Sequence, residues 1–74
     1  MRVRITDPRL VDDLLEFLAA RLDAIGERVA IDAIEVSPLG SFNEEAASLA
    51  LDLQLRAWER MHPGVKAVQR ERAW

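Results

Sequence analysis

The chain has 74 residues, a mass of 8.4 kDa and no cysteine, so it can form one small domain but neither disulfides nor thiolate metal sites. Half of the residues are hydrophobic and 31% are charged, which is typical of a folded domain and excludes disorder as the default. The sequence contains no apolar run of the ~20 residues needed for a membrane span and no signal-peptide core, so we expect a cytoplasmic protein without membrane association. A net charge of −3 argues against nonspecific nucleic-acid binding.

Alternating charged and apolar residues predict a first strand, in which Val3 and Ile5 point inward. Asp7 and Pro8 then form a helix start, because the carboxylate can cap free amides and proline loses no donor at the first helical position. One face of the following helix gathers seven apolar side chains: Leu10, Val11, Leu14, Leu15, Phe17, Leu18 and Leu22. We expect this helix to end at Gly26.

The segment 27–38 predicts a β-hairpin, because its apolar residues mirror each other about Asp32 and Ala33. Pairing about that turn gives one apolar face, with Ile31 opposite Ile34 and Val29 opposite Val36. The opposite face would then hold Arg28, Ala30 and Glu35. Asp-Ala is a poor turn dipeptide, so one continuous strand is the alternative, and an engineered origin is another explanation of the turn.

A second helix and a last strand complete the predicted elements. Ser41 and Glu44 have the spacing of a capping box, which places the helix start there. The helix runs to about Met61 and ends because Pro63 disfavours helical dihedrals in the residue before it. Residues 65–70 form the last strand.

The order strand, helix, strand, strand, helix, strand resembles the ferredoxin-like, split βαβ arrangement. The resemblance implies an α+β domain spanning residues 1–74, with a four-stranded antiparallel sheet of order 4-1-3-2 and both helices on one face. Residues 55–64, Leu-Arg-Ala-Trp-Glu-Arg-Met-His-Pro-Gly, also resemble the ending of small bacterial proteins without an established activity. Because the fold hosts many unrelated activities, it implies no reaction.

No catalytic, metal-binding or cofactor-binding motif is found in the sequence. His62 is the only histidine, and its position at a helix end favours a role at the helix dipole. The acidic residues on the helices are expected to be solvated: Asp12, Asp13, Glu44, Glu45 and Asp52. No base is evident for any of the three candidate serines, Ser37, Ser41 and Ser48. We therefore predict a protein that is not an enzyme and that uses no cofactor or metal.

The second helix is apolar over roughly 240° of its circumference, whereas a helix that covers a sheet needs little more than 100°. The arc consists of Ala46, Ala47, Leu49, Ala50, Leu51, Leu53, Leu55, Ala57, Trp58 and Met61. We interpret the excess as a partner surface and predict Leu51, Leu55 and Trp58 as interface residues, because aromatic residues are enriched at interface hot spots. The alternative is that the first helix and the sheet share the arc.

Strand parity also predicts a basic patch on the open face of the sheet. Five cations would converge there beside Glu35: Arg2, Arg4, Arg28, Lys66 and Arg70. Such a patch could bind a small anion, although solvated arginines are the simpler interpretation. Nucleic acid is an unlikely ligand, because RNA-binding sheets of this topology stack bases on strand aromatics, which these strands lack.

The sequence thus predicts a non-enzymatic homodimeric interaction or regulatory module, since a domain of this size has little reserve stability without disulfides or metal. One alternative is an ACT-like domain in which a dimer builds a site for a small anionic ligand. An enzyme whose site is assembled between subunits from Asp, Glu and Arg ranks third.

Overall fold

A computed structural model describes residues 1–39 and 43–70. The elements in chain order are strand β1 (Arg2–Ile5), a 3-10 turn (Pro8–Leu10), helix α1 (Val11–Arg21), strands β2 (Ala24–Ala30) and β3 (Ala33–Pro38), helix α2 (Glu44–Met61) and strand β4 (Ala67–Arg70). Neither helix in this part of the chain combines the length and apolarity needed to cross a bilayer.

The four strands form one antiparallel sheet in the order β2-β3-β1-β4, which is β4-β1-β3-β2 read from the other edge. Val3 of β1 lies between Ile34 of β3 and Gln69 of β4. One face of the sheet is buried under both helices, and the core there consists of Val3, Ile5, Ile34, Val36 and Ala67 from the sheet, Val11, Leu14 and Leu18 from α1, and Leu51, Leu55 and Trp58 from α2. Arg2 and Arg4 project from the other face.

The start of α1 forms as the sequence predicts. Asp7 Oδ1 accepts a hydrogen bond of 3.1 Å from the backbone N of Arg9, and Pro8 begins the 3-10 turn that leads into the helix. The side chain of Arg9 also bonds to Asp7, and this hydrogen bond is the main reason that the pKa of the Asp7 carboxyl lies below its usual value.

The predicted helix stop at Gly26 is wrong. α1 ends at Arg21, because Leu22 already has extended dihedrals (φ −121°, ψ 147°), and Gly26 lies inside β2. A Cβ atom at Gly26 would lie only 2.8 Å from Leu15 Cδ2. The glycine therefore lets α1 pack close to β2 instead of ending the helix.

The predicted hairpin is present as two paired strands, β2 and β3, and not as one continuous strand. The predicted register of the hairpin is wrong. Ala30 pairs with Ala33, so the turn is at Ile31 and Asp32, one residue earlier than expected. Ile31 is 72% exposed as a result. A one-residue shift moves side chains to the opposite face, which removes Ile31 from the core.

An irregularity in β2 explains why the simple alternation failed. The register between β2 and β3 shifts between Arg28 and Ala30, so Val29 has no direct partner and is exposed. Arg28 lies opposite Ile34, on the helix side of the sheet, rather than on the open face with Glu35. The displaced turn is held by a hydrogen bond of 2.8 Å from the backbone N of Ile5 to the carbonyl of Asp32.

Helix α2 ends where it was predicted to end but starts with a different cap. Asn43 precedes the helix, and its Oδ1 accepts a 3.1 Å hydrogen bond from the backbone N of Ala46. The predicted cap Ser41 lies outside the described residues. The helix ends at Met61, as expected from Pro63.

Candidate interaction surface

The three predicted interface residues lie in the core. Leu51, Leu55 and Trp58 are all 0% exposed, because α1 and the sheet cover them. Side chains that are fully covered by their own chain have no area left to contribute to a partner. For these three residues the alternative interpretation, in which α1 and the sheet share the arc, describes the structure.

Trp58 is fixed by a polar cluster at the end of α2. Its indole Nε1 donates a 2.9 Å hydrogen bond to Asp13 Oδ2 of α1, and the same oxygen lies 3.2 Å from His62 Nε2. His62 Nδ1 is 3.0 Å from the carbonyl oxygen of Trp58, and the two rings are stacked with centroids 4.3 Å apart. This cluster joins the C-terminal turn of α2 to the first turn of α1.

The arrangement around His62 favours a structural role. Both ring nitrogens lie beside acceptors within the fold, the Asp13 carboxylate and the Trp58 carbonyl. Two hydroxyl groups of the described residues have other partners, because Ser48 Oγ donates to Gln69 and Thr6 Oγ1 accepts from the backbone N of Lys66. Among the described residues, no three His, Asp or Glu side chains meet as a metal site.

A second apolar stripe runs along the outer side of α2. Leu49, Leu53 and Met61 are 64%, 70% and 59% exposed. At 100° per residue, Leu53 lies about 160° from the core residues Leu51 and Leu55, which is nearly the opposite side of the helix. These exposed residues and the alanines on the same side of α2 are called the outer stripe: Ala46, Leu49, Ala50, Leu53, Ala57 and Met61.

The spacing within the outer stripe is that of a helix-packing seam. Ala46, Ala50, Leu53 and Ala57 are separated by four, three and four residues, which is the a/d spacing of a heptad. The alanines are small enough for the backbone of a second helix to approach closely. The spacing of this seam is visible in the sequence, because the wide apolar arc of α2 contains two separate seams. A helical wheel alone does not show which of the two faces the sheet.

Helix α2 is held firmly against β4, so the outer stripe is presented by a fixed element. Glu59 Oε2 accepts a 2.7 Å hydrogen bond from the backbone N of Ala67, and Arg56 Nη2 donates one of 3.0 Å to the carbonyl of Ala67. Ser48 and Gln69 exchange two further hydrogen bonds, of 3.1 and 2.8 Å. These bonds lie on the flank and inner side of α2 and leave the outer stripe unobstructed.

The predicted basic patch is only partly assembled, and acidic partners compensate it. Arg2 Nε lies 3.2 Å from Glu35 Oε1, and Arg4 Nε lies 3.8 Å from Asp32 Oδ2. The amino group of Met1 donates a 2.6 Å hydrogen bond to Glu35 Oε2, which is the largest reason that the pKa of the Glu35 carboxyl is lowered, with Arg2 adding to the effect.

Arg28, a further predicted member of the patch, is separated from Arg2 and Arg4. Arg28 donates to the carbonyls of Ala30 and Ile31 at 3.3 and 2.9 Å, and it lies 3.9 Å from Asp12 on α1. Its place on the helix side of the sheet follows from the irregularity in β2. Lys66 is exposed just before β4, and the backbone of Arg70 pairs with Arg2.

An apolar cleft of about 230 Å³ opens between the end of α1 and the start of α2. Its walls include Leu22, Val36, Leu39, Ala47 and Leu51. Asp23 supplies the charged side chain among the lining residues, and a carboxylate repels anions.

Comparison with known proteins finds no matching family model, no matching curated protein and no matching solved structure. The expected resemblance of residues 55–64 to small bacterial proteins thus has no support from these comparisons.

Proposed function

We propose that this chain is a non-enzymatic interaction module of ferredoxin-like fold that forms a homodimer through the outer stripe of α2. The observation that carries the proposal is the exposure of Leu49 and Leu53 on the side of α2 away from the core, next to the exposed Met61 in the last turn. Contiguous apolar surface of this kind marks interaction sites, whereas single exposed apolar residues need no explanation.

The ferredoxin-like assignment is supported by topology. Read from the β4 edge, the sheet order is β4-β1-β3-β2 with every neighbouring pair antiparallel, and the elements follow the split βαβ order. Both helices contribute to a single core on one face of the sheet. The support is architectural and implies no activity.

A second copy of the chain is the partner that the surface fits best. The seam spacing on α2 is suited to another helix with the same spacing, and two-fold symmetry brings the same stripe from each copy together. Each buried methylene adds about 0.8 kcal/mol, so covering two leucines and a methionine from each copy would stabilise a small domain appreciably.

Light scattering over a range of protein concentrations tests the proposal. We expect the wild-type mass to approach twice 8.4 kDa at high micromolar concentration. Leu53→Gln should shift the protein toward the monomer, because it places an amide at the centre of the seam while keeping a good helix former. Circular dichroism verifies that this variant remains folded.

The matched control is Ile25→Gln, which makes a similar change at an exposed apolar residue of β2. We expect this control to associate like the wild type. A monomeric wild type would contradict the proposal, and so would dissociation by Ile25→Gln with no effect of Leu53→Gln, which would assign association to the β2 edge.

The alternative of an ACT-like anion-binding domain has weaker support. Two of the predicted cations, Arg2 and Arg4, already face Glu35 and Asp32. An anion would have to compete with these carboxylates in water, where exposed ion pairs contribute little.

A further inference from the structure

We infer that the two copies of α2 pack antiparallel, with the two-fold axis passing near Leu53. This inference rests on the proposed function and adds the direction and register of the partner helix. It is argued from the distribution of large, small and charged side chains along the outer stripe.

The charges on the outer side of α2 are separated along the helix. Glu45 is exposed in the first turn, and Arg60 is exposed in the last full turn. Among the described residues, neither side chain forms an ion pair within its own chain, whereas Arg56 is paired with Asp52 and Glu59 at 3.5 Å each. Glu45 and Arg60 are therefore the charges left for a partner.

An antiparallel pair centred on Leu53 brings Glu45 of each copy near Arg60 of the other. A parallel pair would instead set Glu45 against Glu45 and Arg60 against Arg60, and like charges in such positions are destabilising. The helix dipoles give the same preference, because each positive N-terminus then lies beside a negative C-terminus.

The sizes of the side chains agree with the same register. Around an axis at Leu53, Leu49 of one copy lies across from Ala57 of the other, and symmetry repeats this contact on the other side. Along the row of residues four apart, Leu49, Leu53 and Ala57, the large residue at one end thus meets the small one at the other, while Leu53 meets Leu53 in the middle. From Leu49 to Ala57 the helix rises about 12 Å, which accommodates these three layers.

Single-cysteine variants test the direction of the pair directly, because the chain has no cysteine of its own. Oxidation of Leu53→Cys should give a disulfide-linked dimer, since residues next to the axis come within bonding reach. An equimolar mixture of Leu49→Cys and Ala57→Cys should give the mixed dimer, with little dimer from either variant alone. The products are distinguished by mass spectrometry.

The outcomes separate this inference from the proposed function. If Leu49→Cys and Ala57→Cys each link to themselves and not to one another, the pair is parallel, so the inference fails while the homodimer stands. If the wild type is a dimer by light scattering but Leu53→Cys does not link, the two-fold axis does not pass near Leu53, so the inference fails while the homodimer stands. A monomeric wild type overturns both.

Charge exchange gives a second, independent test. Glu45→Lys and Arg60→Glu should each weaken the dimer about two- to five-fold in Kd, the scale of exposed ion pairs, and the double variant should recover most of the loss. The effects should fade at high salt, because exposed charges are screened within about 10 Å at 0.1 M. If the loss of dimer affinity in the double variant equals the sum of the losses in the two single variants, Glu45 and Arg60 do not meet across the interface. The antiparallel register is then wrong.

Discussion

Asp13 Oδ2 lies 2.9 Å from Trp58 Nε1, and this hydrogen bond joins the first turn of α1 to the last turns of α2. The hydrogen bond fixes the position of Trp58, the largest of the fully buried side chains, which has no exposed surface. A buried indole needs an acceptor for its N–H, and Asp13 supplies one at the edge of the core. Trp58 is thus a core residue whose indole N–H is hydrogen-bonded to a carboxylate.

Trp58→Phe should lower the free energy of unfolding by about 2 kcal/mol, through loss of the hydrogen bond and of indole volume. Asp13→Ala should cost about 1 kcal/mol, since its carboxylate is partly solvated. The two effects should be coupled in a double-mutant cycle measured by urea unfolding. Asp12→Ala on the exposed side of α1 is the control. Strict additivity of the two changes would show that the bond contributes nothing.

Gly26 is expected to be sensitive to size because it faces Leu15. Gly26→Val should destabilise the domain by about 1 kcal/mol, because a Cβ at this position would lie 2.8 Å from Leu15 Cδ2 and the end of the Leu15 side chain has to move. The double variant Leu15→Ala with Gly26→Val should recover part of this loss in thermal unfolding. Equal instability of the single and double variants would mean that Leu15 is not the obstacle.

The turn can be tested by two substitutions with opposite expectations. Ala33→Gly should cost about 1 kcal/mol, because Ala33 is buried and pairs with both Arg4 and Ala30. Ile31→Lys should be nearly neutral, because Ile31 occupies the exposed turn. A large loss of melting temperature for Ile31→Lys, with none for Ala33→Gly, would instead support a turn at residues 32 and 33.

Some features of the fold can be predicted from the alternation of apolar residues in strands and from their periodicity in helices. Both correctly placed Val3, Ile5 and the buried face of α1, because each of these elements is regular. The register of the hairpin was predicted wrongly because the irregularity between Arg28 and Ala30 changes the phase of the alternation between apolar and polar residues. The amino-acid sequence does not show where this change of phase occurs.

The candidate site was only partly predictable for a related reason. The excess of apolar surface on α2 was visible in the sequence, but Trp58 and Leu53 are both apolar residues of one arc. Only packing against α1 and the sheet shows that Trp58 is covered and that Leu53 is exposed. The sequence predicted Glu35 beside the arginines, but it could not show that Asp32 would lie beside Arg4, since this contact depends on where the hairpin turn falls.

Glu35 should contribute a pH-dependent part of the stability. Its pKa in the folded chain is lowered from 4.5, first by the hydrogen bond from the Met1 amino group and then by Arg2. A lowered pKa gives stability that is complete above the ordinary carboxyl range and is lost as pH falls through the folded value.

Urea unfolding between pH 7 and pH 3 checks this expectation. Glu35→Gln should be less stable than the wild type at pH 7, and the two should converge as pH falls. Glu16→Gln, which removes an exposed carboxylate from α1, is the matched control and should leave the wild-type pH dependence largely intact. A constant difference between wild type and Glu35→Gln over this range would mean that the ionised carboxylate is not the stabilising species.

The central claim, that the outer stripe of α2 joins two copies, is tested most directly by the melting temperature as a function of protein concentration. Association stabilises the folded chain by mass action, so the wild-type melting temperature should rise with concentration. The double variant Leu49→Gln with Leu53→Gln should fold and melt at a temperature independent of concentration. A wild-type melting temperature that stays constant up to high micromolar concentration, or one that still rises in the double variant, would contradict the account.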